Sequence, residues 1–403
     1  MLAIFAMLDI YIWRGLKKTL KPNLFKKVKW IIPLTTLLFF FGFIANLVRA
    51  ANGVMNANIA INMMVGFSFG VFIAKIVLAV PFLIEDVRRY PLFFFKWIFK
   101  RQKSKEAMPE RRRFVRNISL GLASIPVIGT IYGITAGKYN YQLKRIPLSF
   151  GNLPRSFDGL KVIQFSDFHA GSFDDFEAVK QGLAYINERK PDLILFTGDL
   201  VNNRAGESKP FLEMLRNLEA PLGKFAVLGN HDYGDYVPYE SEEARNENMK
   251  SLFEVIDYAG FDLLNNENRQ VIKNGETIDI IGVENWGQDP FPQYGDLNKA
   301  TAGLPKDRFS ILLSHDPDHW EYEVRDHPHP FDLTLSGHTH GAQFGVEIPG
   351  WEWSPVQYRY KRWMGLYKEK NQYLFVSKGF GFLGFPGRVG MSPEIIEFTI
   401  NRG

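Results

Sequence analysis

Two long apolar runs, Val28 to Val48 ("VKWIIPLTTLLFFFGFIANLV") and Ile59 to Ile84, constrain this chain more than any other feature. Each supplies roughly the 20 apolar residues that cross a ~30 Å hydrocarbon core as a helix, so both read as membrane spans. Phe114 to Ile134 is a further candidate, less apolar, with Gly, Ser and Pro that spans tolerate when neighbouring helices supply partners. Met1 to Trp13 is apolar too, but at 1.5 Å per residue it reaches only about 20 Å, so it is expected as a short or tilted span.

Positive charge orients these segments, because short cytoplasmic loops collect Lys and Arg. Residues 14–29 carry seven basic side chains and 85–113 carry ten, whereas 49–58 has only Arg49. The first two loops are therefore expected inside and the third outside. Four spans in that order place everything after about residue 135 on the extracytoplasmic side. Lys75 falls within a span and is either a functional intramembrane charge or a structural lysine that snorkels or bridges helices.

At 403 residues the chain exceeds what one hydrophobic core holds, so a second domain is expected: a membrane part over 1–137, a linker over 138–157 and a polar domain over 158–403. The net charge of +5 conceals a division. Residues 1–145 hold 23 Lys and Arg against five acids, a net of +18, and the remainder is at −13. So acidic a domain is ill suited to nucleic acid, whose binding rests on Lys and Arg neutralising phosphates. Absence of cysteine removes disulfides, thiolate metal sites and a cysteine nucleophile.

From residue 160 short apolar runs alternate with polar, helix-like stretches at about 174–189, 208–218 and 243–259. "LKVIQF", "DLILF", "KFAVLG", "TIDIIGV", "FSILLSH", "FDLTLSG" and "YLFVSKG" read as strands, several continuous enough to be buried on both faces. The domain is α/β. Metal-capable residues sit at the carboxyl ends of successive strands: Asp167 and His169, Asp199, Asn230 to Asp232, His315, and His338 with His340. Ligands in open α/β sheets gather at those ends, so the clusters can converge on one crevice. Asp-x-His and His-x-His pairs place both side chains on one side of an extended backbone, able to grip one ion or two adjacent ones. Carboxylate, imidazole and amide oxygen together suit Mn, Fe or Zn. Two such ions about 3.5 to 4 Å apart polarise a phosphoryl group and lower the pKa of a shared water, which points to a two-metal hydrolase. Any one Gly-Asp or Asn-His taken alone is a turn or polar loop; the series at strand ends reverses that reading.

"SDFHAG", "GDLV", "GNHD", "SHDPD" and "SGHTHGAQ" resemble the calcineurin-like metallophosphoesterases over roughly 158–400, and "SKGFGFLGFPGRVGMSPEI" resembles their bacterial membrane-associated branch. The resemblance implies a calcineurin-like four-layer α/β/β/α sandwich behind N-terminal transmembrane helices, and a bacterial inner-membrane location. It implies that Asp167, His169 and His340 hold one ion, that Asp199 bridges two, and that Asn230, His315 and His338 hold the second. His231 would face the substrate phosphate, with Asp232 orienting its ring. Arg388 in "FPGRVG" is either a phosphate clamp or a loop-fixing arginine. Ala342 stands where the branch often has glycine, with little effect expected. His319, His327 and His329 fall outside the motif and are expected to be structural.

"RRRFV", from Arg111, resembles the twin-arginine export signature, but it is internal and no cleavage site follows it, so a retained span is expected. Trp351, Trp353, Tyr358, Tyr360, Trp363, Phe380, Phe382 and Phe385 crowd the C-terminal part. They either pack the second sheet or form an interfacial rim that presents a lipid-borne phosphate. The reading that collects these features is a membrane-anchored phosphoesterase with two divalent ions, cleaving a mono- or diester by in-line attack of a metal-bridging hydroxide. Its rivals are a cytoplasm-facing lipid-nucleotide pyrophosphatase and a non-catalytic membrane sensor or scaffold.

Overall fold

The computed structural model describes residues 2–51, 59–98 and 109–403. Most of the loop expected outside (52–58) and part of the basic loop expected inside (99–108) lie outside the described residues, as do the side chains of Arg49 and Arg112. The chain divides into two units, Met1–Thr135 and Ala136–Gly403.

The first unit is helical: α1 (Leu2–Thr19), α2 (Pro22–Val28), α3 (Ile31–Ala51), α4 (Ile59–Ile98) and α5 (Pro109–Thr135). Among the described residues three stretches are long and apolar enough to cross a membrane, Pro22–Val48, Ala60–Arg88 and Arg113–Thr135. α1 is longer than the apolar segment that starts it, because Lys17 and Lys18 extend its last turn. Lys75 on α4 does not snorkel. Its ammonium donates to Asp9 Oδ1 on α1 at 2.8 Å, and to Thr36 Oγ1 and the Ile32 carbonyl on α3, both at 2.6 Å. All three donors of a buried charge are thereby satisfied, which joins three helices. α4 and α5 cross at Gly70, where a Cβ would come within 2.1 Å of the Thr130 hydroxyl.

The second unit is built on two six-stranded mixed sheets. Its strands are β1 (Gln142–Phe150), β2 (Leu160–Phe165), β3 (Leu193–Phe196), β4 (Lys224–Ala226), β5 (Asp262–Leu263), β6 (Glu267–Lys273), β7 (Glu276–Gly282), β8 (Ser310–Leu313), β9 (Leu333–Ser336), β10 (Val346–Ile348), β11 (Trp351–Trp353), β12 (Gly365–Glu369), β13 (Gln372–Val376) and β14 (Glu394–Arg402). One sheet runs β1-β14-β2-β3-β4-β5 and the other β12-β13-β9-β8-β7-β6, while β10 and β11 pair as a separate hairpin.

Alternate residues of the continuous apolar strands serve two different cores. Val162, Leu193, Leu195, Ile311, Leu313, Leu333 and Phe375 meet between the sheets. Ile163, Phe165, Ile194 and Phe196 point the other way, onto the helices at Phe176–Glu188 and Glu242–Tyr258. Leu312, Leu374 and Val376 do the same beyond the second sheet, around Trp320. The layers are therefore helix, sheet, sheet, helix.

One expectation fails in this unit. Residues 138–157 are not a linker, because Gln142–Phe150 forms the edge strand β1, in parallel register with all nine residues of β14. Its outward residues Lys144 and Arg145 gave the segment a polar look, yet Ile146, Leu148 and Phe150 are buried between the sheets.

Candidate metal centre

Five loops leave the carboxyl ends of β2, β3, β4, β8 and β9 and bring their polar residues together. The backbone is under strain there: Asp167, His169, Asp199, His338 and His340 all have φ between +51 and +72. Left-handed conformations cost non-glycine residues energy and persist where the surroundings over-determine them, commonly at functional sites. Two glycines make the approach possible. A Cβ on Gly198 would come within 2.5 Å of the Gly229 nitrogen, and one on Gly229 within 2.2 Å of Asp199 Oδ1.

The donors fall into two groups whose ligand atoms lie within 4.8 Å of one another, Asp167 with His169, Asp199 and His340, and Asp199 with His315 and His338. Asp199 belongs to both. In the first group the Nε2 atoms of His169 and His340 are 3.1 Å apart, and His340 Nε2 is 3.2 Å from Asp167 Oδ1. In the second, His315 Nε2 is 3.1 Å from Asp199 Oδ2. Asn230 Oδ1 faces His338 Nδ1 at 2.8 Å, which adds an amide oxygen to that group.

Charge within the cluster is unbalanced. Burial pushes the His169 and His338 rings down to about 3, and His340 well below its ordinary value, so these rings are neutral and keep lone pairs. Burial would lower His315 as well, but the carboxylates of Asp199 and Asp167 hold it up at about 10. Burial would raise Asp199, and the imidazoles of His315 and His231 outweigh it, keeping that carboxyl well below its usual range. His169 Nδ1, Asp199 Oδ2, His315 Nε2 and Asp316 Oδ2 are buried without a hydrogen-bond partner. Orphaned buried polar atoms are costly, and a divalent cation held at Asp199 would satisfy Asp199 Oδ2 and His315 Nε2 without a proton. The donor set thus fits metal ions.

His315 shows how such a ring is aimed. Its Nδ1 donates to the Thr197 carbonyl at 2.6 Å, which leaves Nε2 as the atom turned to Asp199. His231 is held likewise, with Nδ1 2.8 Å from the Asn202 carbonyl and its backbone nitrogen 2.9 Å from Asp199 Oδ1.

Two expected roles change. Asp232 does not orient the His231 ring. Its oxygens accept from the backbone nitrogens of Asp199 and Gly229 at 2.8 and 2.9 Å, and of Leu200 at 2.8 Å, so it shapes the turn that carries Asp199. Arg388 is no phosphate clamp. It is 1% exposed and its guanidinium donates to the carbonyls of Gly381, Lys378, Gly379 and Met391, with Nη2 3.3 Å from His340 Nδ1. Burial pushes its pKa down to about 10. It ties the C-terminal loops to the back of the His340 turn.

The other histidines lie apart from both groups. His319 is buried, 2.9 Å from Ser314 Oγ and stacked on Trp286, while His327 and His329 pack near Phe331. The aromatic-rich segment divides. Phe380, Phe382 and Tyr360 are buried, Phe380 and Phe382 in the core outside the first sheet, whereas Trp351 and Tyr358 are 55% and 79% exposed beside the β10–β11 hairpin. Residues that the sequence did not single out also line the cleft: Asp316, with Oδ2 3.4 Å from His338 Nε2, and Tyr236, whose hydroxyl lies 2.9 Å from Asn230 Nδ2. Only the "SHDPD" motif offered a signal for the first; nothing marked the second.

Comparison with known proteins agrees with this geometry. Residues 160–342 match the family model described as "Calcineurin-like phosphoesterase", and residues 1–138 match "Probable Calcineurin-like phosphoesterase, transmembrane domain". The chain is 33% identical over 251 residues to the uncharacterized metallophosphoesterase YkuE of Bacillus subtilis, covering 62% of this chain and 81% of that one. It is 28% identical over 275 residues to the UDP-2,3-diacylglucosamine pyrophosphatase LpxG of Chlamydia trachomatis, covering 58% of this chain and 80% of that one. A transmembrane protein with metallophosphoesterase domain from Danio rerio is 26% identical over 286 residues, covering 69% of this chain and 61% of the zebrafish protein. With its apolar N-terminal helices and its buried Asp/His cluster, the chain belongs to the calcineurin-like phosphoesterases and is a membrane protein with a metal-dependent phosphoric ester hydrolase domain.

Proposed function

We propose that the centre holds two divalent ions, of Mn, Fe or Zn, and cleaves a phosphate ester carried by a lipid or other membrane-borne molecule at the extracytoplasmic face of a bacterial inner membrane. The observation that carries the two-ion reading is the sharing of Asp199 between the groups, which gives each ion three or four donors and one common carboxylate. Asp167, His169 and His340 would hold one ion, Asn230, His315 and His338 the other. When bound, such ions polarise the phosphoryl group and supply a nucleophile from water near neutral pH.

The chain's own residues do the rest. Asp199, fixed from below by Asp232, keeps the two halves in register. His231, with Nδ1 anchored on Asn202, turns Nε2 outward to meet a phosphoryl oxygen or protonate the leaving group. Burial of Asp167, His169 and His340 keeps competing water away. Exposed Trp351, Tyr358 and Ile348 form an amphipathic rim suited to a lipid-borne substrate, and LpxG, by its name, cleaves a diphosphate bond in a lipid nucleotide.

Purified full-length protein, supplied in turn with Mn, Zn and Fe, should hydrolyse lipid phosphates faster than nucleotides or sugar phosphates. Equal turnover of all three, unaffected by Trp351→Ala, would refute the lipid preference. A C-terminal reporter active only in the cytoplasm should stay silent; its activity would overturn the sidedness and favour a cytoplasm-facing pyrophosphatase.

A further inference from the structure

On the Asn230 side of the centre, Tyr236 lies close to His231 and reaches one of the expected ligands. Its ring packs on His231 with centroids 4.6 Å apart, and its hydroxyl is 2.9 Å from Asn230 Nδ2. The direction of that bond is fixed. Asn230 turns Oδ1 to His338 Nδ1 at 2.8 Å, so the group facing Tyr236 is the amide NH₂, which only donates. Tyr236 Oη must accept, and its own proton has no acceptor among the described residues. Tyr236 is 47% exposed, unlike the buried donors around it.

We propose that Tyr236 is a substrate-binding residue that donates its hydroxyl proton in a hydrogen bond to a non-bridging oxygen of the phosphoryl group, side by side with His231. The proposal rests on the phosphoesterase reading above. Asn230 links the parts: its oxygen is aimed at the cation site while its nitrogen occupies the tyrosyl lone pair, so the remaining O–H is left for the ligand. The ligand class is any tetrahedral oxyanion, whether an ester under attack or the phosphate released. A neighbouring hydroxyl makes a natural contrast. Tyr360 Oη is 2.7 Å from His338 Nε2, but Tyr360 is only 6% exposed and meets the ring from behind. With a cation at Nδ1 the His338 proton sits on Nε2 and donates to Tyr360, which makes Tyr360 a positioning residue for His338.

The test compares Tyr236→Phe and Tyr360→Phe in the detergent-purified full chain. Three quantities are read: bound Mn by elemental analysis, competitive inhibition by inorganic phosphate at saturating Mn, and kcat and KM for an aryl phosphodiester. Tyr236→Phe should retain the wild-type Mn content while phosphate inhibition and kcat/KM each weaken roughly tenfold or more, the size expected for loss of a hydrogen bond to a charged oxygen. Tyr360→Phe should instead bind Mn more weakly, with phosphate inhibition restored once Mn saturates. If Tyr236→Phe leaves phosphate inhibition unchanged, or loses Mn in proportion to its loss of phosphate binding, the proposal is overturned and Tyr236 serves only Asn230. Wild-type protein that binds Mn and phosphate but cleaves no phosphoester would sink the proposed activity while leaving this role standing.

Discussion

His315 Nε2 stands 3.1 Å from Asp199 Oδ2, both atoms buried, and the carboxylate helps to hold the ring in its charged form. His315 cannot turn away, because its other nitrogen is held by the Thr197 carbonyl. A divalent cation beside the pair would take the place of the proton that the carboxylates otherwise hold on His315.

Asp199→Asn should therefore empty both halves of the centre, since this carboxylate serves both. Elemental analysis should fall from two ions per chain to below one, and phosphoester hydrolysis by at least a hundredfold. His340→Ala, which touches only the first group, should leave close to one ion. Stripping the wild type with a chelator should lower the melting temperature of the phosphoesterase unit by several degrees, on the order of the 2.7 kcal/mol that a ligand at a hundred times its Kd contributes. Mn should restore it in a calorimetric scan.

Arg388→Met removes a cation whose donors meet backbone carbonyls, one of them also facing His340 Nδ1. A loss of about 2 to 4 kcal/mol in denaturant unfolding is expected, together with weaker binding of the ion near His340. A phosphate clamp would behave otherwise, raising KM while leaving stability intact.

Ala342 has φ +52 and ψ +13, a left-handed conformation in which an L side chain is strained. Ala342→Gly should stabilise the unit by about 1 kcal/mol, visible as an upward shift of the denaturation midpoint with unchanged slope.

In the membrane unit, Lys75→Met leaves Asp9 a buried carboxylate without its ion-pair partner. Thermal stability in detergent should drop, by about 3 to 5 kcal/mol if the unit melts as one. The double change Lys75→Met with Asp9→Leu should recover most of it, because two apolar side chains need no partner. A functional charge would give a different pattern, in which both variants lose activity and stability does not recover.

Much of this architecture was legible along the chain. The sites of β2, β3, β4, β7, β8, β9 and β13 followed from short apolar runs, because a strand buried on both faces has no room for polar residues. The centre was legible because its donors follow those strands immediately, and strands of parallel neighbours end at one rim. β1 was not legible. Its buried Ile146, Leu148 and Phe150 alternate with polar residues beside Pro147, a pattern that reads as a linker until β14 arrives to pair with it.

Side-chain identity and spacing thus determined by themselves which residues could ligate a metal and which segments had to leave water, since both depend on local chemistry. Roles that depend on direction were decided only by the tertiary structure. Arg388 and Asp232 have the chemistry of a clamp and of a ring-orienting acid, yet the fold surrounds one with carbonyls and the other with backbone amides, where no cleft reaches them. Tyr236 has no distinguishing sequence context, and its function comes from the amide of Asn230 that fixes which way its hydroxyl proton can point.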